Sequence, residues 1–197
     1  MDSSRLSQQL VFLAEADQLK RVLRRTSLIG GDRLENTAEH SWHFALMALT
    51  LAEHAPVALD LTRVLKIALI HDLVEIDAGD SFVYDTSAMA DKAEREEAAA
   101  ERIFGLLPAD QATEYRALWD EFEAQETSEA KFAAAVDRLC GMLPNYKNCG
   151  GSWVEHGVSA ARVAQRNAPI GAGAPALWEV ARGWIDEAVE RGWISSE

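Results

Sequence analysis

The chain has 197 residues, 48% of them hydrophobic, and a formal net charge of −13. That length and apolar content suffice for a sizeable buried core and read as one domain over residues 1–197. Acidity of this size repels a phosphate polymer and excludes a broad DNA or RNA footprint, and no apolar run is long enough to span a bilayer.

Alanine, leucine and glutamate dominate and no alternating strand pattern persists, so the expected fold class is all-α. A first helix is expected over Arg5–Arg25, with Leu6, Leu10, Leu13, Leu19 and Leu23 near one face, broken by Leu28-Ile29-Gly30-Gly31-Asp32. A second starts near Asn36-Thr37, with Glu39 as a first-turn acid, and runs to Ala55 before Pro56. Its middle, Phe44-Ala45-Leu46-Met47-Ala48-Leu49, is apolar almost all round, the pattern of a central buried helix. A third is capped by Asp60, reaches Ile76 and ends before Ala78-Gly79. Amphipathic segments follow at Ala88–Leu107, Pro108–Gln125 and Ser128–Leu143. Pro144–Gly151 reads as a loop, Ser152 as the cap of a helix to Arg166, Ala168–Ala174 as a Pro/Gly-rich linker and Pro175–Gly192 as the last helix. The start, Met1-Asp2-Ser3-Ser4-Arg5, lacks a signal-peptide pattern, and Cys140 and Cys149 form no CxxC. A reduced, cytoplasmic protein is expected.

Four residues stand out: His40, His71, Asp72 and Asp137. Two imidazoles and two carboxylates suit a divalent metal that keeps open positions for water and substrate. Val64, Ile67, Ala68, His71 and Val74 recur at helical spacing, which puts His71 on or beside a buried face. Asp72 lies about 100° further round a regular helix, so both reach one ion only at the edge between their directions. Asp137 shares a stripe with Ala133, Val136 and Cys140, where an ionised carboxylate needs a partner: a metal, or an arginine such as Arg138. Taken alone, His40 also suits a helix start or a core. His43, His54 and His156 fall outside the four-residue pattern.

The order His…His-Asp…Asp resembles the HD superfamily of metal-dependent phosphohydrolases. Within it, Glu35-Asn36-Thr37-Ala38-Glu39-His40-Ser41-Trp42 and Ala68-Leu69-Ile70-His71-Asp72-Leu73-Val74-Glu75-Ile76-Asp77-Ala78-Gly79-Asp80 resemble the 5′-deoxynucleotidase and HD domain-containing protein 2 branch. The resemblance covers most of residues 20–145, the HD core, and leaves 146–197 as a C-terminal helical extension. It implies a helical, usually dimeric protein that removes phosphate from nucleoside 5′-monophosphates with a divalent metal. Its implied metal ligands are His40, His71, Asp72 and Asp137, and its acid/base residue is Glu75, expected one turn beyond His71 on the same helix face. Asp80 matches an aspartate near the substrate, and Arg25 a phosphate-binding arginine. Thr26 stands where that branch typically carries tryptophan, which predicts weaker discrimination between deoxyribose and ribose. Arg24 and Arg33 are further phosphate candidates.

The expected cofactor is manganese, cobalt, iron, nickel or zinc, since two histidines make a magnesium-only site a poor fit. The expected partners are a small phosphorylated substrate, in the first instance a nucleoside monophosphate, and a second copy in a homodimer, with neither a nucleic-acid polymer nor a membrane. The rival readings are a phosphodiesterase acting on a cyclic nucleotide or another diester, and a non-catalytic nucleotide-binding HD protein.

Overall fold

The computed structural model describes residues 3–81, 84 and 91–197. Helices dominate it, as the composition predicts, with one small two-stranded sheet among the described residues.

Helix α1 covers Ser3–Ala16 and ends well short of Arg25. A 3₁₀ turn, Asp17–Arg21, drops Leu19 into the core. The chain then forms β1, Leu23–Ser27, paired antiparallel with β2, Leu34–Asn36. Gly30 and Gly31 have φ of 105° and 72°, values that a side chain opposes, so the tip of this hairpin needs glycine. The tip is also tied to a residue distant in sequence. The Gly30 N–H donates to Asn148 Oδ1 at 2.9 Å, and Asn148 Nδ2 donates to the Leu28 carbonyl at 2.7 Å. The expected leucine stripe of α1 faces outward at Leu6, Leu10 and Leu13, and Phe12 is the residue that α1 buries.

Helix α2, Thr37–Leu51, starts where expected, on a complete capping box. Asn36 Oδ1 accepts from the Glu39 N–H at 3.0 Å, and Glu39 Oε2 accepts from the Asn36 N–H at 3.2 Å. It is not buried all round: Phe44, Met47 and Ala48 face the core, while Trp42, Leu46 and Leu49 are exposed. Helix α3, Leu61–Ile70, is capped by Asp60, whose side chain accepts from the Arg63 N–H at 3.2 Å.

The third helix does not continue to Ile76. Successive three-residue bonds, Leu73 N–H to Ile70 O at 3.1 Å and Glu75 N–H to Asp72 O at 3.0 Å, tighten the chain into a turn over residues 71–74. A short helix α4, Glu75–Ala78, follows and stops at Gly79 with φ 74°. His71 and Glu75 therefore lie on either side of a turn rather than one regular turn apart on a single helix.

Helices α5, Lys92–Phe104, and α6, Ala109–Ala124, lead to the central α7, Ser128–Lys147. The expected start of α5 at Ala88 lies outside the described residues. Thr127 caps α7 by accepting from the Ala130 N–H at 3.1 Å. Helix α7 runs through Pro144 instead of ending before it, and Asn145 Nδ2 donates back to Gly141 O at 2.9 Å to hold that last turn. The expected helix from Ser152 to Arg166 is two: α8, Gly151–Glu155, and α9, Ala160–Asn167, separated at Gly157 with φ 59°. The expected linker instead contains α10, Ile170–Gly173, set so closely on α7 that a Cβ at Gly173 would lie 2.0 Å from Lys131 O. Helix α11, Pro175–Glu190, closes the fold. Helix α7 packs against α2, α3, α6, α10 and α11, so the core forms around it. Among the described residues, no helix is long and apolar enough to cross a membrane.

Candidate metal centre and cleft

Three helical elements and the hairpin bring the sequence candidates together. His40 comes from the first turn of α2, His71 and Asp72 from the tight turn after α3, and Asp137 from the middle of α7. His40 Nε2 lies 2.9 Å from Asp137 Oδ1 and 3.7 Å from Asp72 Oδ2. His71 Nε2 lies 3.0 Å from Asp72 Oδ2 and 4.0 Å from Asp137 Oδ1. One ligand atom from each of His40, His71 and Asp72 falls within 4.8 Å of the others. The turn after Ile70 is what lets neighbours His71 and Asp72 face one point. Phe44 and Phe122 close the apolar side of His71, with ring centroids 5.1 and 4.9 Å away.

The donor set fits a cation. His71 Nδ1 is 3.1 Å from the Ala68 carbonyl, which accepts only if Nδ1 carries the proton. In the neutral ring Nε2 then presents its lone pair to Asp72 Oδ2, 3.0 Å away, and that buried nitrogen has no hydrogen bond among the described residues. Two facing acceptors repel unless a positive charge sits between them, and an imidazole fixed through its other nitrogen is the usual arrangement of a metal-ligating histidine.

The surrounding charges are strongly coupled to this point. Burial would raise the Asp72 carboxyl, but His71, His40 and Arg24 outweigh it and hold the pKa down at about 2. Burial is likewise outweighed at Asp137, chiefly by His40, leaving its carboxyl well below the usual range. Burial, aided by Arg24, lowers His40, whereas at His71 the Asp72 carboxylate overcomes burial and raises it. Burial and then the charges of Asp72 and Asp80 push Glu75 well above the ordinary carboxylate range. Thr37 Oγ1 donates to Glu75 Oε2 at 2.9 Å and fixes that carboxyl beside the cluster. Asp80 is raised by burial, with Arg24 opposing.

Among the arginines, the pattern alone singled out Arg25, yet Arg24 is the one inside the cluster. Its Nε lies 3.3 Å from Glu35 Oε2, and its Nη1 lies 3.4 Å from Asp72 Oδ2 and 3.9 Å from Asp80 Oδ1. Arg25 and Thr26 line the cleft beside it, along with Asp80 and Asp137. Arg33 is not brought to the cleft: both its terminal nitrogens are clamped on the Glu39 carboxylate, at 2.8 and 2.7 Å. Asp137 pairs with His40 rather than Arg138, whose Nη1 donates to Ala134 O at 3.0 Å. His43 sits apart, 3.7 Å from Cys140 Sγ, and His54 and His156 are exposed.

Sequence reasoning missed Glu35, Thr37 and Arg166, and it considered Arg138 only as a partner for Asp137. Glu35 is buried, sits 3.8 Å behind His40 Nδ1, and is raised to about 7 chiefly by burial. A charged residue directly before a helix cap, as Glu35 is before Asn36, was the one available signal for it. Trp153, Arg166 and Asn167, from α8 and α9, form the outer wall of the cleft together with Arg138. Burial holds Arg138 below the usual guanidinium range, with nearby Asp137 opposing and Arg166 adding to the shift.

Comparison with known proteins gives a consistent picture. Residues 16–178 match the model of the HD domain family. The 5′-deoxynucleotidase HDDC2 of Homo sapiens is 36% identical over 135 residues, covering 68% of this chain and 64% of that protein. The chain thus spans just under two thirds of that relative's length. A 5′-deoxynucleotidase of Erwinia tasmaniensis is 30% identical over 140 residues, covering 67% of this chain and 70% of the relative. The crystal structure of a protein described as a predicted metal-dependent phosphohydrolase, from Magnetospirillum magnetotacticum, superposes with a TM-score of 0.93 at 53% identity. That match covers 98% of this chain and 96% of the other, so the helical segments beyond residue 145 are part of the shared fold. With its family model, its close structural relative and its His and Asp residues gathered at one point, the chain belongs to the HD domain family.

Proposed function

We propose that this protein is a divalent-metal phosphomonoesterase acting on nucleoside 5′-monophosphates. The observation that carries the reading is the buried, unpartnered His71 Nε2 facing Asp72 Oδ2 beside a cleft that opens onto arginines. His40, His71, Asp72 and Asp137 would hold the ion, and their nitrogen and oxygen donors suit manganese, cobalt, iron, nickel or zinc. When bound, it supplies a Lewis acid for the phosphoryl oxygens and favours ionisation of water.

The chain's own residues do the rest. Arg24, held among Glu35, Asp72 and Asp80, offsets the charge that a phosphate brings into an acidic site, and Arg25 at the cleft wall adds a second guanidinium. In hydrolysis the oxygen of water bonds to phosphorus, the P–O bond to the sugar breaks, and the nucleoside leaves with a 5′-hydroxyl. Glu75 is placed to take the proton that the water loses, and its elevated pKa suits a group that must accept a proton and return it. Thr37 keeps that carboxyl aimed at the cluster. Asp80 steadies Arg24 at the cleft edge. Thr26 leaves room at the sugar; Trp42 is exposed, and Trp153, which lines the same cleft, is almost wholly buried by its neighbours.

The test is a phosphate-release screen over ribo- and deoxyribonucleoside 5′-monophosphates with each metal, run beside His71→Ala. The expected result is release by the wild type, comparable kcat/KM for the two sugars, and loss of both metal and activity in the variant. A variant that keeps wild-type metal content and turnover contradicts the assignment, and strong deoxyribose selectivity contradicts the role given to Thr26.

A further inference from the structure

Most arginines of this acidic chain are clamped. Arg5, Arg33, Arg63, Arg102 and Arg116 each pair with a carboxylate, and Arg24 is held by the cluster. Arg138 and Arg166 are different. Both line the cleft, on the wall built from α7 and α9, and no carboxylate among the described residues forms an ion pair with either. Arg138 reaches only a backbone carbonyl through Nη1, and its Nε is buried with no hydrogen bond among the described residues.

Other polar groups on this wall are already committed. Asn145 Oδ1 accepts from Ser152 N at 2.7 Å and Ser152 Oγ at 2.9 Å, while its Nδ2 donates to Gly141 O at 2.9 Å. Asn167 Nδ2 donates to Val163 O at 2.8 Å. The amides that would read a neutral base edge are therefore spent on holding α7, α8 and α9 together. What the wall still offers is positive charge: Asp137, which lines the same cleft, is engaged with His40, and two guanidinium groups without an ion pair among the described residues favour an anion from outside.

We propose that Arg138 and Arg166 form a second anion subsite, and that the nucleotide the cleft prefers carries a second phosphoryl group besides the one held at the cluster. The inference rests on the phosphomonoesterase reading above and deepens it. Arg24 and Arg25, from β1, serve the phosphate at the cluster, while Arg138 and Arg166, from α7 and α9 of the same cleft, hold the second. The segments beyond residue 145 thereby gain a role: α9 supplies one of the two cations.

The experiment measures binding of AMP, ADP and adenosine 3′,5′-bisphosphate to the purified protein in the Glu75→Gln background, with and without Arg166→Gln or Arg138→Gln. Arg166 is exposed, so its substitution does not threaten the fold, and a thermal melt checks Arg138→Gln. One of the doubly phosphorylated nucleotides is expected to bind on the order of 10-fold more tightly than AMP, with the advantage falling toward unity in either arginine variant. Preference for ADP places the second phosphate along the chain, and preference for the bisphosphate places it across the sugar. Equal affinity for all three in the parent, or an advantage untouched by both variants, overturns the subsite. Absence of phosphate release from any nucleotide by the wild type overturns the phosphomonoesterase reading instead, and the binding ratio still reports on the subsite.

Discussion

Thr37 and Glu75 separate positioning from proton transfer at the scale of single atoms. Thr37→Val keeps the shape of the side chain and removes the hydroxyl that holds Glu75 Oε2 at 2.9 Å. We expect it to cost about 1 kcal/mol of stability, the usual net worth of such a bond, and to lower kcat while leaving metal content intact. Glu75→Gln should also retain the metal but lose turnover on the order of 10²-fold, because the amide cannot accept a proton. Metal analysis and phosphate release on the two variants check both outcomes. Loss of metal from Glu75→Gln would make Glu75 a ligand rather than a proton carrier. His40, His71, Asp72 and Asp137 were legible in the sequence because residue type, order and helical spacing all pointed to one chemistry. Arg24 was legible only as one of several phosphate candidates and Glu35 not at all, because their meaning lies in each other. A buried acid and a buried base 3.3 Å apart, on opposite strands of a hairpin, leave no local pattern.

At the scale of elements, the sequence revealed helices with local caps and concealed breaks that depend on distant contacts. The Asn36–Glu39 box, Asp60 and Thr127 each announce a helix start within four residues. The start of the hairpin, residues 23–25, was read as the end of a helix and its tip only as a break, because the tip is secured by Asn148, distant in sequence. The turn after Ile70 contains neither glycine nor proline to mark it. The segment around α10 was read as a linker from its composition, yet Gly171 and Gly173 are there for close approach. Gly173→Ala would drive a methyl group into the Lys131 carbonyl and should destabilise the protein by about 2 kcal/mol or more, read as a lower melting temperature. A melting temperature unchanged by that substitution would mean that α10 is not seated on α7 as described. The junction of α3, α6 and α7 gives a pH test. Burial would raise Glu121, but Arg63 Nε, 2.6 Å away, and Thr127 outweigh it and lower its pKa. Its folded pKa is thus below its unfolded one, so the stability it adds is present above the unfolded value and lost as pH falls through the folded value. Melting temperatures measured from neutral pH downward should fall less steeply in Glu121→Gln than in the wild type across that acid range.

At the scale of the whole molecule, a net charge of −13 and the proposed phosphate substrate are compatible only if positive charge is gathered locally. The fold does this by setting four arginines, Arg24, Arg25, Arg138 and Arg166, around one cleft whose inner end holds Asp72 and Asp137. On the proposed reading neither end would work alone: the carboxylates would need a cation to face the substrate, and the arginines would need that cation beside them to hold a phosphate there. The central claim is therefore dependence on a divalent ion. It is tested most directly by phosphate release from a nucleoside 5′-monophosphate before chelation, after it, and after return of a single divalent metal. The account predicts activity that disappears with the chelator and returns with about one ion bound per chain. Activity indifferent to chelation, or absent with every metal supplied, would contradict it.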